Sequence, residues 1–203
     1  DPEFKKRCDE SFKRITELKK NLPKPHREFP HKTKELIKLS AQKSIKCIKT
    51  DSLDIPVAKS IQSGKILLAG AKFRSDIEVE MIGRTPYEIT DFYNYLKKYF
   101  NNIDLSYWDI NPGEKTIKNI ANTCFDEYSL IILCANNAIL YPGQEKIIEL
   151  FMDKYAQKTI LLAVKNPEDT HVAGNAKNII LTFGYNKANI EAAGDFITQG
   201  PSI

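Results

Sequence analysis

Thr159-Ile-Leu-Leu-Ala-Val-Lys165, Asn166-Pro-Glu-Asp169, Asn178-Ile-Ile-Leu-Thr-Phe-Gly-Tyr185 and Asn186-Lys-Ala-Asn-Ile-Glu-Ala-Ala193 follow one another along the chain and decide its fold. The first and third segments are short and mostly apolar, as strands covered on both faces must be. Asn186 stands where a helix N-cap belongs, because its side-chain oxygen can accept from a backbone amide in the first turn. A strand, a turn, a second strand and a capped helix make one stage of a parallel α/β sheet.

Three more strands lie upstream. Tyr128-Ser-Leu-Ile-Ile-Leu-Cys-Ala135 is apolar almost throughout and reads as the centre of the sheet. Lys65-Ile-Leu-Leu-Ala-Gly70 is a shorter run ended by glycine. Ile103-Asp-Leu-Ser-Tyr-Trp-Asp-Ile110 alternates, which predicts a strand with an exposed face or a place at the sheet edge. Helices fall between the strands. Thr85-Pro-Tyr-Glu88 and Asn111-Pro-Gly-Glu114 have the form of a cap, a first-turn proline and a glutamate reaching back to the cap amide; Tyr141-Pro-Gly-Gln144 is a weaker version. The first helix would bury Ile89, Phe92, Tyr93, Leu96 and Phe100, and the third Ile147, Ile148, Phe151 and Tyr155. The predicted class is α/β: a three-layer αβα sandwich with a mostly parallel five- or six-stranded sheet, preceded by N-terminal helices.

Those N-terminal helices come from 3.6-residue spacing. Phe12, Ile15, Leu18 and Leu22 mark an amphipathic helix over 5–22, ended by Asn21-Leu-Pro-Lys-Pro25. A second helix is expected from about Thr33 to Ile48, and residues 51–63 read as a linker. Asp1-Pro-Glu-Phe4 has the look of a cloning scar. The expected division is 1–4 scar, 5–22 helix, 23–63 helical linker and 64–203 α/β domain.

Composition excludes several classes. The 203 residues are 42% hydrophobic and 28% charged, a globular and not a disordered balance. No apolar run approaches the roughly 20 residues that span a bilayer, so no membrane partner is expected. Between Lys5 and Lys49 there are 15 Lys and Arg against five acids. Nucleic-acid sites interleave aromatics or place arginines for base edges, whereas only Phe4, Phe12 and Phe29 are available here and lysine dominates, so a solvated helix face is expected and no nucleic acid. Cys8, Cys47, Cys124 and Cys134 form no Cys-x-x-Cys pair and sit at no metal-ligand spacing from a histidine, so no metal and no cofactor are expected.

A doubly wound sheet binds ligands at the carboxyl ends of its strands. The loops there are Gly70–Arg74, Asp109–Pro112, Asn136–Tyr141, Asn166–Gly174 and Gly184–Asn186. One glycine after the first strand, where a dinucleotide fingerprint needs three, argues against a nicotinamide site, and there is no phosphate loop and no nucleophile elbow. His171 has no nucleophile beside it, and Glu168 with Asp169 reads as a turn in preference to a catalytic pair. Asn136, Asn137, Asn166 and Asp169 are the candidate strand-end contacts, with Asn175 a further hydrogen-bonding group; no catalytic residue is expected.

Val164-Lys-Asn-Pro-Glu-Asp169, Phe183-Gly-Tyr185 and Ile190-Glu-Ala-Ala193 together resemble the end of the C-terminal domain of bacterial family-three glycoside hydrolases, most of all the β-N-acetylglucosaminidase branch. Lys165, Glu168 and Phe183 depart from that pattern, which has arginine and two tyrosines there. Cys8-Asp-Glu-Ser-Phe-Lys-Arg-Ile-Thr-Glu-Leu-Lys19 resembles the signature on the last helix of the family's (β/α)8 barrel. The resemblance implies that 5–22 closes a barrel carried elsewhere in the parent chain, that the barrel is this domain's partner, and that glycan is met through the parent. It also implies that the catalytic groups lie on the barrel. Ala135-Asn-Asn-Ala-Ile-Leu-Tyr-Pro-Gly-Gln144, where other branches place a catalytic glutamate, has no carboxylate. The alternative reading is a self-standing α/β module that binds a sugar, nucleotide or peptide with its strand-end loops.

Overall fold

The computed structural model describes residues 1–21, 33–57, 61, 64–73 and 87–201. The chain divides into two units, Asp1–Lys34 and Glu35–Ile203. The first consists mainly of helix α1 (Pro2–Asn21), which has no buried residue and leaves Phe12, Ile15 and Leu18 exposed. Leu22 and the proline-rich stretch after it lie outside the described residues.

The second unit is a six-stranded sheet with helices on both faces. In chain order its elements are α2 (Thr33–Ser44, begun in the first unit), β1 (Lys46–Thr50), β2 (Lys65–Ala71), α3 (Ile89–Leu96), β3 (Ile103–Trp108), α4 (Glu114–Ala121), β4 (Tyr128–Ala135), α5 (Pro142–Tyr155), β5 (Thr159–Ala163), β6 (Asn178–Leu181) and α6 (Lys187–Gln199). The strand order is β1-β6-β5-β4-β2-β3, with β1 antiparallel to β6 and every other pair parallel. The three-layer expectation is met, with six strands. The alternating strand β3 is a sheet edge and the apolar strand β4 lies inside, as their patterns predict.

Successive side chains of a strand point to opposite faces, so each strand feeds two cores. Leu67, Ile131, Leu133 and Leu161 pack with Phe125, Ile147, Ile148 and Phe151 on the α4–α5 face. Ile66, Leu68, Leu130, Ile132 and Leu162 pack with Ile89, Phe92, Leu96 and Ile190 on the α3–α6 face. Cys134 belongs to this second core, where burial raises its thiol pKa; all four cysteines are free thiols.

Three local expectations are corrected. The second helix stops at Ser44 instead of continuing to Ile48, and Lys46–Thr50 becomes an edge strand with alternating exposure. The helix after Asn111 begins at Glu114 with Gly113 as its cap, so Pro112 is not its first residue. Helix α3 begins at Ile89; Glu88 is its cap, and the Glu88 amide donates to Asp91 Oδ2 at 2.8 Å. Thr85 and Pro86 lie outside the described residues. Tyr141-Pro142 and Asn186 do start their helices as expected, and Asn186 Oδ1 accepts from the Asn189 amide at 3.2 Å.

Candidate functional site

The strand-end loops gather at the carboxyl edge of the sheet. From β2 the chain passes through α3 to β3 on one face, then through α4 to β4 on the other, so the direction of winding reverses between β2 and β4. A crevice at such a reversal is where doubly wound folds hold ligands.

Asn136, the first residue past β4, occupies this place and is 1% exposed. Its Nδ2 donates to the carbonyls of Lys72 (3.1 Å) and Phe73 (2.8 Å), which tie the end of β2 to the end of β4. Its backbone amide donates to Gln144 Oε1 at 3.2 Å, and Gln144 Nε2 donates to the carbonyls of Asn136 (2.9 Å) and Ile110 (2.6 Å). Asn111 Oδ1 accepts from the Gly143 amide at 3.3 Å, inside the first turn of α5. The loops after β2, β3 and β4 are thereby stitched into one layer. Above it, Lys72 Nζ meets Asp109 Oδ1 at 2.6 Å, and this carboxylate raises the lysine pKa.

The loops after β4 and β5 are joined by Asp169, which is fully buried. Its Oδ1 accepts from the Ile139 amide at 3.2 Å, at the head of a single 3-10 turn, Ala138–Leu140. Burial raises its pKa to about 6 against the pull of the Ile139, Asn137 and Ala138 amides. Asn137 enters that turn with φ of 52°, a left-handed conformation that asparagine tolerates. The Asn-Pro-Glu-Asp segment opens a second 3-10 stretch, Pro167–Ala173, and Asn166 Oδ1 caps it by accepting from the Glu168 amide at 3.0 Å.

After β6, Thr182 Oγ1 lies 2.7 and 2.8 Å from the Val164 and Gly184 carbonyls, between which its single hydrogen is shared, and Asn189 Nδ2 donates to the Thr182 carbonyl at 2.7 Å. Phe183 is half exposed with φ of 56°, and Lys165 Nζ lies 5.2 Å from the centre of the Tyr185 ring.

Of the residues singled out in the sequence, Asn136 and Asp169 are buried and joined to backbone, Asn137 and Asn166 are half-buried in turns, and Asn175 is exposed. Glu168 and Asp169 do not act as a pair. Glu168 is exposed and meets His171 at 3.0 Å, whereas Asp169 points into the fold. Gln144 and Asn111 read as helix caps in the sequence. Gln144 bonds to Asn136, eight residues away, and to the Ile110 carbonyl, and Asn111 to the Gly143 amide; the last two are about thirty residues away, and no local pattern announces them. Retaining hydrolysis of a glycosidic bond needs two carboxyl groups or their equivalents flanking one bond. Among the described residues, the strand-end acids Asp109, Glu168 and Asp169 are paired with a lysine, paired with a histidine, and buried, respectively. Among the described residues no group of three acidic, histidine or cysteine side chains is placed to hold a metal ion, and no helix is long and apolar enough to cross a membrane.

No protein-family model matches the chain, and no curated protein matches it. Its fold does match solved structures. One is a glycoside hydrolase family 3 β-N-acetylglucosaminidase from Paenibacillus sp. str. FPU-7, with a TM-score of 0.71 and 19% identity over 98% of this chain and 38% of that one. A second is a fungal multi-domain family 3 β-N-acetylglucosaminidase with a GCN5-related glucosamine N-acetyltransferase region, at 0.60 and 22% identity over 79% of this chain and 17% of that one. A third is a β-glucosidase from Listeria innocua bound to isofagomine, at 0.63 and 15% identity over 90% and 28%. The chain therefore has the fold of one portion of these longer proteins, and it spans well under half of each.

Proposed function

We propose that this chain is the C-terminal α/β domain of a family-three glycoside hydrolase of the β-N-acetylglucosaminidase kind, acting on cell-wall or other N-acetylglucosamine-containing glycans. In this reading residues 5–22 are the closing helix of the parent's (β/α)8 barrel. The domain supports that barrel or lines the outer rim of the sugar cleft, and the reacting groups belong to the barrel. One observation carries the reading: nearly the whole chain, 98%, superposes on 38% of a single β-N-acetylglucosaminidase chain. The strand-end geometry is in keeping with it, since the buried amides of Asn136 and Gln144 are engaged in joining loops to one another.

The test has two arms. Incubated with an aryl N-acetylglucosaminide, the chain alone should release no aryl alcohol, and the parent protein should release it. Turnover by the chain alone, or a parent that cleaves no N-acetylglucosaminide, would overturn the proposal. Calorimetry with N-acetylglucosamine covers the alternative of a self-standing sugar-binding module. A supporting domain gives no heat, whereas saturable binding by the isolated chain would favour the module.

A further inference from the structure

Among the described residues after Thr50, four large apolar or aromatic side chains are exposed, Tyr107, Ile139, Leu140 and Phe183, and all four stand at or just past the carboxyl ends of strands. Two non-glycine residues of the described chain have positive φ, and both serve this group. Asn137 (φ 52°) turns the chain into Ala138–Leu140, and Phe183 (φ 56°) is itself one of the four. Left-handed backbone costs free energy at a residue with a bulky ring and little at glycine. Phe183 recovers little of that cost by burial, being 49% exposed. Strain held on a surface in this way marks a side chain placed for something outside the fold.

Both loops are fixed. The Ile139 amide donates to the buried Asp169 Oδ1 at 3.2 Å, and the Leu140 amide donates to the Asn137 carbonyl at 2.9 Å. Thr182 Oγ1 lies 2.8 Å from the Gly184 carbonyl, and Asn189 Nδ2 donates to the Thr182 carbonyl at 2.7 Å, so the residues on either side of Phe183 are tied down. Strands β4, β5 and β6 are adjacent and parallel, which sets the ends of β4 and β6 roughly 10 Å apart, two strand spacings. The apolar tips are held out at one edge of the sheet.

We propose that Ile139, Leu140 and Phe183 form a preorganised docking surface whose occupant is the barrel portion of the same polypeptide. The proposal rests on the reading above, in which this chain is one portion of a longer protein; its fold covers 38% of one such chain and 28% of another. Size selects the occupant. The three side chains offer on the order of 300 Å², whereas a complex between free partners, a second copy included, buries about 800 Å² on each. A partner on the same polypeptide is held at an effective concentration in the millimolar range, where a contact of this size suffices. Loops already fixed in place lower the ordering cost of the contact.

Hydroxyl-radical oxidation of the parent protein and of this chain alone, read by mass spectrometry, tests the contact. Leu140 and Phe183 should be oxidised about fivefold or more slower in the parent, as side chains are once an interface buries them. Cys124, exposed before β4 at the amino edge of the sheet, should react alike in both. Leu140→Asp in the parent should return Phe183 to the rate of the chain alone. In the chain alone, Phe183→Gly should leave the urea midpoint unchanged or raise it, since glycine adopts this backbone without strain. Equal oxidation of Leu140 and Phe183 in a parent that cleaves N-acetylglucosaminides overturns the surface and leaves the glycosidase reading standing. Protection of both in a parent without that activity keeps the surface and removes the glycosidase reading instead. A lowered midpoint in Phe183→Gly gives the ring a role in the fold and overturns the proposal. So does a dimer of the chain alone that Leu140→Asp dissociates, which makes a second copy the occupant.

Discussion

Asn136 serves two backbone carbonyls at once, those of Lys72 and Phe73, from a position almost closed to water. Replacing it with alanine withdraws both donors and leaves the carbonyls to face a space too buried for easy hydration, so Asn136→Ala should cost roughly 2–3 kcal/mol in urea unfolding. A loss below about 0.5 kcal/mol would mean that the carbonyls find other donors, and that the stitch between β2 and β4 lies elsewhere. Gly143 is a second such point. A Cβ there would collide with the Pro112 carbonyl, a backbone atom that cannot rotate away, although alanine is the better helix former by about 1 kcal/mol. Gly143→Ala should therefore destabilise by about 1–3 kcal/mol, whereas Gly113→Ala, with nothing within 4 Å of the added carbon, should cost only the poorer cap, under about 1 kcal/mol. Equal effects at the two glycines would refute the close approach. These residues also mark what a sequence hides. Asn136 and Asp169 could be found from their places after apolar strands, but nothing local said that one would bond to a segment about sixty residues away and the other to one about thirty away.

Elements were legible where burial is two-sided or the cap is local. Strand β4 declares itself because six of its last residues in a row, Leu130–Ala135, are buried, and β3 because an edge needs fewer apolar faces. Strand β1 escaped because Ile45 and Ile48 stand three apart, the spacing of a helix, and a five-residue edge strand has too few residues to outvote it. Its lysines, Lys46 and Lys49, were the available clue, since charged side chains guard sheet edges. This strand covers the outer edge of β6, and Asn178 secures the return. Asn178 Oδ1 accepts from the Ser52 and Leu53 amides at 3.3 and 3.2 Å, while its Nδ2 donates to Ser52 Oγ at 2.8 Å. A chain that begins after residue 32 should thus stay soluble, and one that begins after residue 50 should expose β6 and aggregate, as light scattering would reveal. Two equally soluble truncations would show that β1 is dispensable. On the opposite face α3 and α6 meet through polar groups. Asp195 Oδ1 accepts from the hydroxyls of Tyr95 and Tyr99, the latter at 2.9 Å, and Gln199 Nε2 donates to Tyr99 Oη at 2.8 Å. In a double-mutant cycle, Tyr95→Phe and Asp195→Ala should couple by about 0.5–1.5 kcal/mol. Strict additivity would mean that the helices are held by apolar packing, including Gly194 against the Tyr95 and Phe92 rings, without help from this bond.

At the scale of the whole unit, one sheet separates two cores that share no side chain but share every central strand. Phe92 lies in the α3–α6 core and Phe151 in the α4–α5 core, both essentially without exposed surface. Each truncation to alanine removes a ring from a close-packed interior and should cost about 3–5 kcal/mol. The two sites lie on opposite faces with no common neighbour, so their effects should add to within about 0.5 kcal/mol. Additive energies need not mean separate unfolding. Strands β2, β4 and β5 contribute alternate residues to both cores, so neither face can be lost while the other keeps its floor. Residues 35–203 should therefore unfold in urea as one transition, with near-ultraviolet and far-ultraviolet dichroism coincident in the parent chain and in Phe92→Ala and Phe151→Ala alike. The informative contrary result is a split transition in Phe92→Ala, in which Trp108, part of the α4–α5 core, reports an intact environment after α3 and α6 have melted. That outcome would make the α4–α5 layer with its strands a separately stable half, and would place the weaker half on the α3–α6 side.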